Sequence, residues 1–219
     1  MPTVTRSPSS SCWTERPANT SPSGTCDLTV QITPTDSADA AELAAVAAQT
    51  FPLACPPSVA PQHIASFIDA NLSAIRFAEY LSDQGRAVLA ARDQGRIVGY
   101  AMLVRGIDRD DSAELSKLYV IPDFHGKGVS SALMNAALST AAAWGVHRVW
   151  LGVNRKNVRA QRFYLKNGFT VSGARTFQLG NHQEHDYVMT RPVTGQSALT
   201  GVTWPADTSC GSHQPASPR

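Results

Sequence analysis

Apolar and polar residues alternate from Leu28 to Thr33, so the first element expected is a strand. The period then lengthens. Asp36 or Ser37 can cap an Ala-rich helix running to about Gln49, with Leu43 and Val46 on one side. Residues 51–57 read as a proline-broken loop. Pro61 opens a second helix carrying Ile64, Phe67, Ile68 and Leu72, spaced by three and four, and Ser73 starts a shorter one through Phe77 and Leu81. Residues 86–92 and 96–105 read as strands around a hairpin signal at Asp93-Gln94-Gly95, and residues 113–120 as a third strand. The next helix puts Val129, Leu133, Ala137, Thr140 and Trp144 on one face and ends at Gly145. Residues 148–153 are apolar on both faces, as in a central strand. Asn157 caps a helix ending at Asn167-Gly168, and residues 169–178 and 185–191 close the series as two strands. The result is an α/β order of strand, helices, three strands, helix, central strand, helix and two strands, with no internal repeat.

The two ends differ from this middle. Residues 1–26 are rich in Ser, Thr and Pro, and residues 193–219 in Gly, Ser, Thr and Pro, so both are expected to be disordered extensions of one domain at 27–192. The 219 residues are 42% hydrophobic and 16% charged, enough for a sizeable core. A net charge of +2 does not point to nucleic acid or an anionic membrane. No apolar run reaches the length of about 18 residues that spans a bilayer, and no apolar stretch follows Arg6 as a secretory leader requires. Cys12, Cys26, Cys55 and Cys210 are scattered, so reduced thiols in a cytoplasmic protein are expected.

Chemistry concentrates after the third strand of the middle group, in Val120-Ile-Pro-Asp-Phe-His-Gly-Lys-Gly-Val-Ser-Ser131. Gly126 and Gly128 remove side chains where a backbone turns tightly or approaches a ligand. The helix behind them offers free N–H groups and the positive end of its dipole, an anion site. The spacing is neither that of a P-loop nor that of a dinucleotide fingerprint. On the residues alone, an ordinary strand-to-helix turn fits equally well. Asn157 and Tyr164, seven apart, share a helical face. Glu114 and Ser116 are expected on one face of their strand, where a carboxylate must be paired, wet or working. A core role for Tyr164 and a solvated strand-end role for Glu114 stay open. His125, His182 and His185 have no metal-ligand spacing.

Together, Glu114-Leu-Ser-Lys-Leu-Tyr-Val120, His125-Gly-Lys-Gly-Val-Ser-Ser131, and Asn157-Val-Arg-Ala-Gln-Arg-Phe-Tyr164 with Asn167-Gly-Phe169 resemble the GNAT superfamily of acyl-CoA N-acyltransferases. His125 stands where that family usually has Gln or Arg, and Ser130 where it has Gly or Ala. Trp150-Leu-Gly-Val153, then Asn157 to Tyr164, then Gly173-Ala-Arg-Thr-Phe177 and Asp186-Tyr-Val-Met189 look, more narrowly, like bacterial PaiA-type spermidine/spermine acetyltransferases. The resemblance implies a mixed sheet flanked by helices, with a V-shaped splay between two parallel strands. It implies acetyl-CoA as co-substrate and no metal. The backbone of Leu118, Tyr119 and Val120 is then expected to pair with the pantetheine. His125, Gly126, Lys127, Gly128, Val129, Ser130 and Ser131 would hold the pyrophosphate, chiefly through their N–H groups, and Asn157 the cofactor's amide arm. Glu114 matches the family's base, acting directly or through water, and Tyr164 its acid, with the N–H of Tyr119 or Val120 steadying the oxyanion.

The acceptor implied is a small-molecule primary amine, by resemblance a polyamine, otherwise an antibiotic-like amine or a protein N-terminus. A non-catalytic acyl-CoA-binding module is the rival, which intact Glu114, Tyr164 and glycine loop disfavour. Asp69, Glu79, Glu184 and Asp186 are candidates for holding a cationic amine, each equally readable as a solvated surface charge. A homodimer is compatible with the resemblance.

Overall fold

The computed structural model describes residues 30–106, 111–179 and 182–193. In chain order their elements are β1 (Gln31–Pro34), α1 (Ala40–Ala54), α2 (Pro61–Asn71), α3 (Ala74–Ser82), β2 (Arg86–Asp93), β3 (Arg96–Arg105), β4 (Ser112–Val120), α4 (Val129–Ala143), β5 (Arg148–Asn154), α5 (Val158–Lys166), β6 (Thr170–Leu179) and β7 (His182–Pro192). The extensions at 1–26 and 193–219 lie outside the described residues, Val193 excepted, as do Cys12, Cys26 and Cys210. No described helix is long and apolar enough to cross a membrane.

One seven-stranded sheet runs β1-β2-β3-β4-β5-β7-β6. Its pairs are antiparallel except β4 with β5, which are parallel because α4 carries the chain back across the sheet between them. The β2–β3 turn uses Gln94 and Gly95 at φ 48° and 84°, the left-handed pair that a two-residue hairpin needs. Helices cover both faces. On one, Leu133, Met134 and Ala137 of α4 pack on Leu103, Leu115, Val120 and Val153. On the other, Leu43, Val46 and Phe77 from α1 and α3 pack on Val88, Tyr100 and Met102. Each Val, Leu, Phe or Met side chain so removed from water contributes roughly 1.5–3 kcal/mol.

Three expectations shift. Helix α1 continues past Gln49 to Ala54 with Pro52 inside it, so the loop begins only at Cys55. Pro52 lacks an N–H for the helix, but Thr50 and Phe51 before it are buried, and Phe51 stacks on Phe67 at 4.6 Å. Burial of that turn outweighs one missing hydrogen bond. Strand β7 starts at His182, not His185, because its partner β6 runs on to Leu179. The simple alternation along β4 also breaks. Met102 pairs with Lys117, but the next residue, Leu103, pairs with Leu115, so Ser116 is an extra, bulged residue. Beyond it Lys117 and Tyr119 turn to the α1–α3 face, against Tyr80 and Tyr100, while Leu118 and Val120 meet the α4 core.

Candidate active site

The parallel ladder is short. Ser112, Ala113 and Glu114 pair with Arg148, Val149 and Trp150, and there the register ends. Further along, residues 115–120 stay with β3, and residues 151–154 stay with β7. The strands therefore splay, and from Leu115 onward β4 turns an open backbone edge to the gap, where an extended ligand can add as a strand does.

Two cavities open into this gap. One, of about 460 Å³, is lined by Val120, His125, Gly126, Gly128, Val129, Ser130 and Ser131 with residues of α1 and α5. The other, of about 490 Å³, is lined by Phe51, Cys55, Glu114, Lys117, Arg175, Glu184 and Asp186 among others. Ala54, Leu118, Tyr119, Asn157, Ala160 and Tyr164 line both, so the cavities meet between β4 and α5.

The first cavity suits an anion. Gly126 and Gly128 have φ of 77° and 82°, left-handed values that disfavour side chains, and a Cβ on either would project into open space. Gly128 is the N-cap of α4, whose first N–H groups have no carbonyl within the helix to bond. The His125 ring donates from Nε2 to the Val120 carbonyl at 2.7 Å, tying the loop to the strand end. Lys127 lies outside the lining: its N–H reaches the Phe124 carbonyl at 3.4 Å and its ammonium sits 5.0 Å from the Phe124 ring. Among the residues expected to hold the pyrophosphate, Lys127 alone is displaced in this way. Asn157 accepts from the Ala160 N–H at 3.0 Å, which fixes its amide at the start of α5.

Tyr164 stands at the junction, its ring edge-on to Phe163 and Phe169. Burial pushes its hydroxyl up to about 12, so the phenol keeps its proton at working pH. Burial, and then Glu184, push the Cys55 thiol up to about 11. Lys117 moves the other way, to about 8: burial and then Arg86 lower it, against Glu114.

The second cavity collects acids. Glu184 and Asp186, two apart on β7, are 6% and 7% exposed. Glu184 accepts from Asn154 at 3.0 Å and lies 3.4 Å from the Lys156 ammonium. Burial raises the Asp186 carboxyl, and Arg175 only partly offsets it. Glu114 lies 3.4 Å from Arg175. Of the four acids considered for the amine, Glu184 and Asp186 reach this wall. Asp69 is exposed on α2, and Glu79 pairs with Arg76 at 2.6 Å on the surface. Arg175 carried no expected role, because its placement depends on β7 lying between β5 and β6. Gly152 inside β5 was the readable signal, since a strand glycine often marks a close approach: here the Arg175 guanidinium fills the space a Cβ would take.

A splayed pair of parallel strands has an anion cradle at one end and a cavity lined by Glu114, Glu184 and Asp186 at the other, an arrangement with room for an acyl-CoA and an acceptor. Residues 50–169 match the model of the acetyltransferase (GNAT) family, and the chain belongs to that family. Uncharacterized N-acetyltransferases of Mycobacterium bovis and Mycobacterium tuberculosis are each 69% identical to it over 155 residues, 71% of this chain and 98% of theirs. The crystal structure of a PaiA N-acetyltransferase from Thermoplasma acidophilum, in complex with coenzyme A, superposes with a TM-score of 0.65 at 23% identity, over 75% of this chain and 99% of that one. The ribosomal-protein-S18-alanine N-acetyltransferase from Escherichia coli does so with a TM-score of 0.58 at 18% identity, over 79% and 99%. At those identities the two structures share the fold. The protein is an acetyl-CoA-dependent N-acetyltransferase, with acetyl-CoA as co-substrate.

Proposed function

We propose that the acceptor is a cationic primary amine, with polyamines such as spermidine as the leading class. The observation that carries this is the convergence of Glu114, Glu184 and Asp186 on one cavity that joins the cofactor cavity at Tyr164. A polycation needs several carboxylates, and these three come from β4 and β7.

In this reading Gly126, Gly128 and the first N–H groups of α4 hold the pyrophosphate, and the open edge at Leu118, Tyr119 and Val120 pairs with the pantetheine arm. Asn157, locked by its cap, presents its amide to the same arm. Acetyl-CoA supplies an activated acyl group. Glu114 removes the ammonium proton, directly or through water, so that the amine can attack. The N–H of Tyr119 or Val120 supports the oxyanion. Tyr164 returns a proton to the departing thiolate.

Steady-state rates with spermidine, spermine, an aminoglycoside and a peptide with a free N-terminus test the acceptor. The highest kcat/KM is expected for a polyamine. Efficient acetylation of the peptide with polyamines inert would contradict it.

A further inference from the structure

Arg175 spans a face of the sheet. It pairs in register with Asp186 of β7, which pairs with Asn154 of β5, and its side chain runs over Gly152 to reach Glu114 on β4. The guanidinium lies 3.4 Å from Glu114 and 3.5 Å from Asp186, with its carbon 5.5 Å from the centre of the Trp150 ring. Two carboxylates, an indole face and a bare glycine backbone are the surroundings an organic cation seeks. Both contacts are long for charge-assisted hydrogen bonds, and the side chain is 37% exposed. The charge is shared loosely and is not locked in a bidentate fork.

We propose that Arg175 determines acceptor specificity, because its guanidinium is a tethered cation standing where the acceptor's ammonium must come to reach Glu114. This rests on the reading of the second cavity as the acceptor site. The acceptor competes with Arg175 for Glu114 and Asp186. A lone weak cation competes poorly, whereas a polycation, held also by Glu184, competes well. Occupation of the position by the tether raises the apparent KM by the inverse of the fraction of time it is free.

Arg175→Met keeps the apolar stem and removes the cation. The KM for the best amine of the panel is expected to fall about fivefold or more, the factor for a tether in place four-fifths of the time. Methylguanidine is expected to inhibit the variant competitively against the amine, with an inhibition constant about fivefold or more below that for the wild type. Calorimetry should show methylguanidine binding the variant about fivefold or more tightly than the wild type, a readout that needs no turnover. An unchanged or raised KM, together with no tighter methylguanidine binding, overturns the proposal. If the variant unfolds because Glu114 and Asp186 lose their counter-charge, methylguanidine should restore its melting transition, and failure to do so also overturns it. Failure of the acceptor reading itself would show separately, as wild type that acetylates no amine of the panel while methylguanidine still binds the variant.

Discussion

Tyr164→Phe is expected to lower kcat on the order of a hundredfold, the usual contribution of a positioned proton donor, while KM for acetyl-CoA stays within about threefold. The substitution removes one hydroxyl and keeps the ring that Phe163 and Phe169 hold, so the melting temperature should change little. Because burial pushes this hydroxyl up to about 12, the donor is protonated throughout the assay range. The ratio of wild-type to variant kcat should therefore be flat between about pH 6 and pH 10, with no alkaline limb from Tyr164. A variant within about threefold of the wild type in kcat would mean that water protonates the thiolate and that Tyr164 only packs.

Gly128→Val should weaken acetyl-CoA binding on the order of a hundredfold. At φ 82° a β-branched residue is strained, and the new side chain enters space with no protein atom within 4 Å, where the loop faces the cavity. Losing charge-assisted contacts to a phosphate of roughly 3 kcal/mol in all corresponds to that factor. Strain alone could mimic the loss, and Gly145 supplies the control. It has φ 73°, equally open surroundings and a place outside both cavity linings. Gly145→Val should lower the melting temperature comparably, through about 1–2 kcal/mol of left-handed strain, and leave acetyl-CoA affinity unchanged. Calorimetric titration of both variants separates the effects. Equal affinities in the two would remove the glycine loop from the cofactor site.

The features legible in the sequence were those written locally. Two glycines before a helix, Asn157 at the next helix start and Tyr164 two turns on can each be read from one short stretch, and the structure brings them to one junction. What escaped depends on partners distant in the chain. The bulge at Ser116 exists only relative to β3, because an extra residue is defined by what it fails to oppose. The reach of Arg175 to Glu114 needs β7 inserted between β5 and β6, an order opposite to that along the chain. Pro52 looked like a helix breaker because a proline's cost is local, whereas the stacking of Phe51 on Phe67 that offsets it is tertiary. The acids divided for the same reason. Glu184 and Asp186 lie on a strand whose neighbours bury them, and Glu79 lies on a helix surface beside Arg76.

The proposed mechanism requires direct transfer between two substrates lying side by side where the cavities meet. Varying acetyl-CoA and the amine together in initial-rate measurements tests it most directly. Intersecting double-reciprocal lines are predicted, since both substrates must be present before transfer. The alternative is an acyl-enzyme, for which the cavity's own thiol, Cys55, is poorly suited: pushed up to about 11, it carries little thiolate at neutral pH. Parallel lines, with acetyl-CoA alone leaving an acetyl group on the protein, would show a ping-pong route and contradict direct transfer.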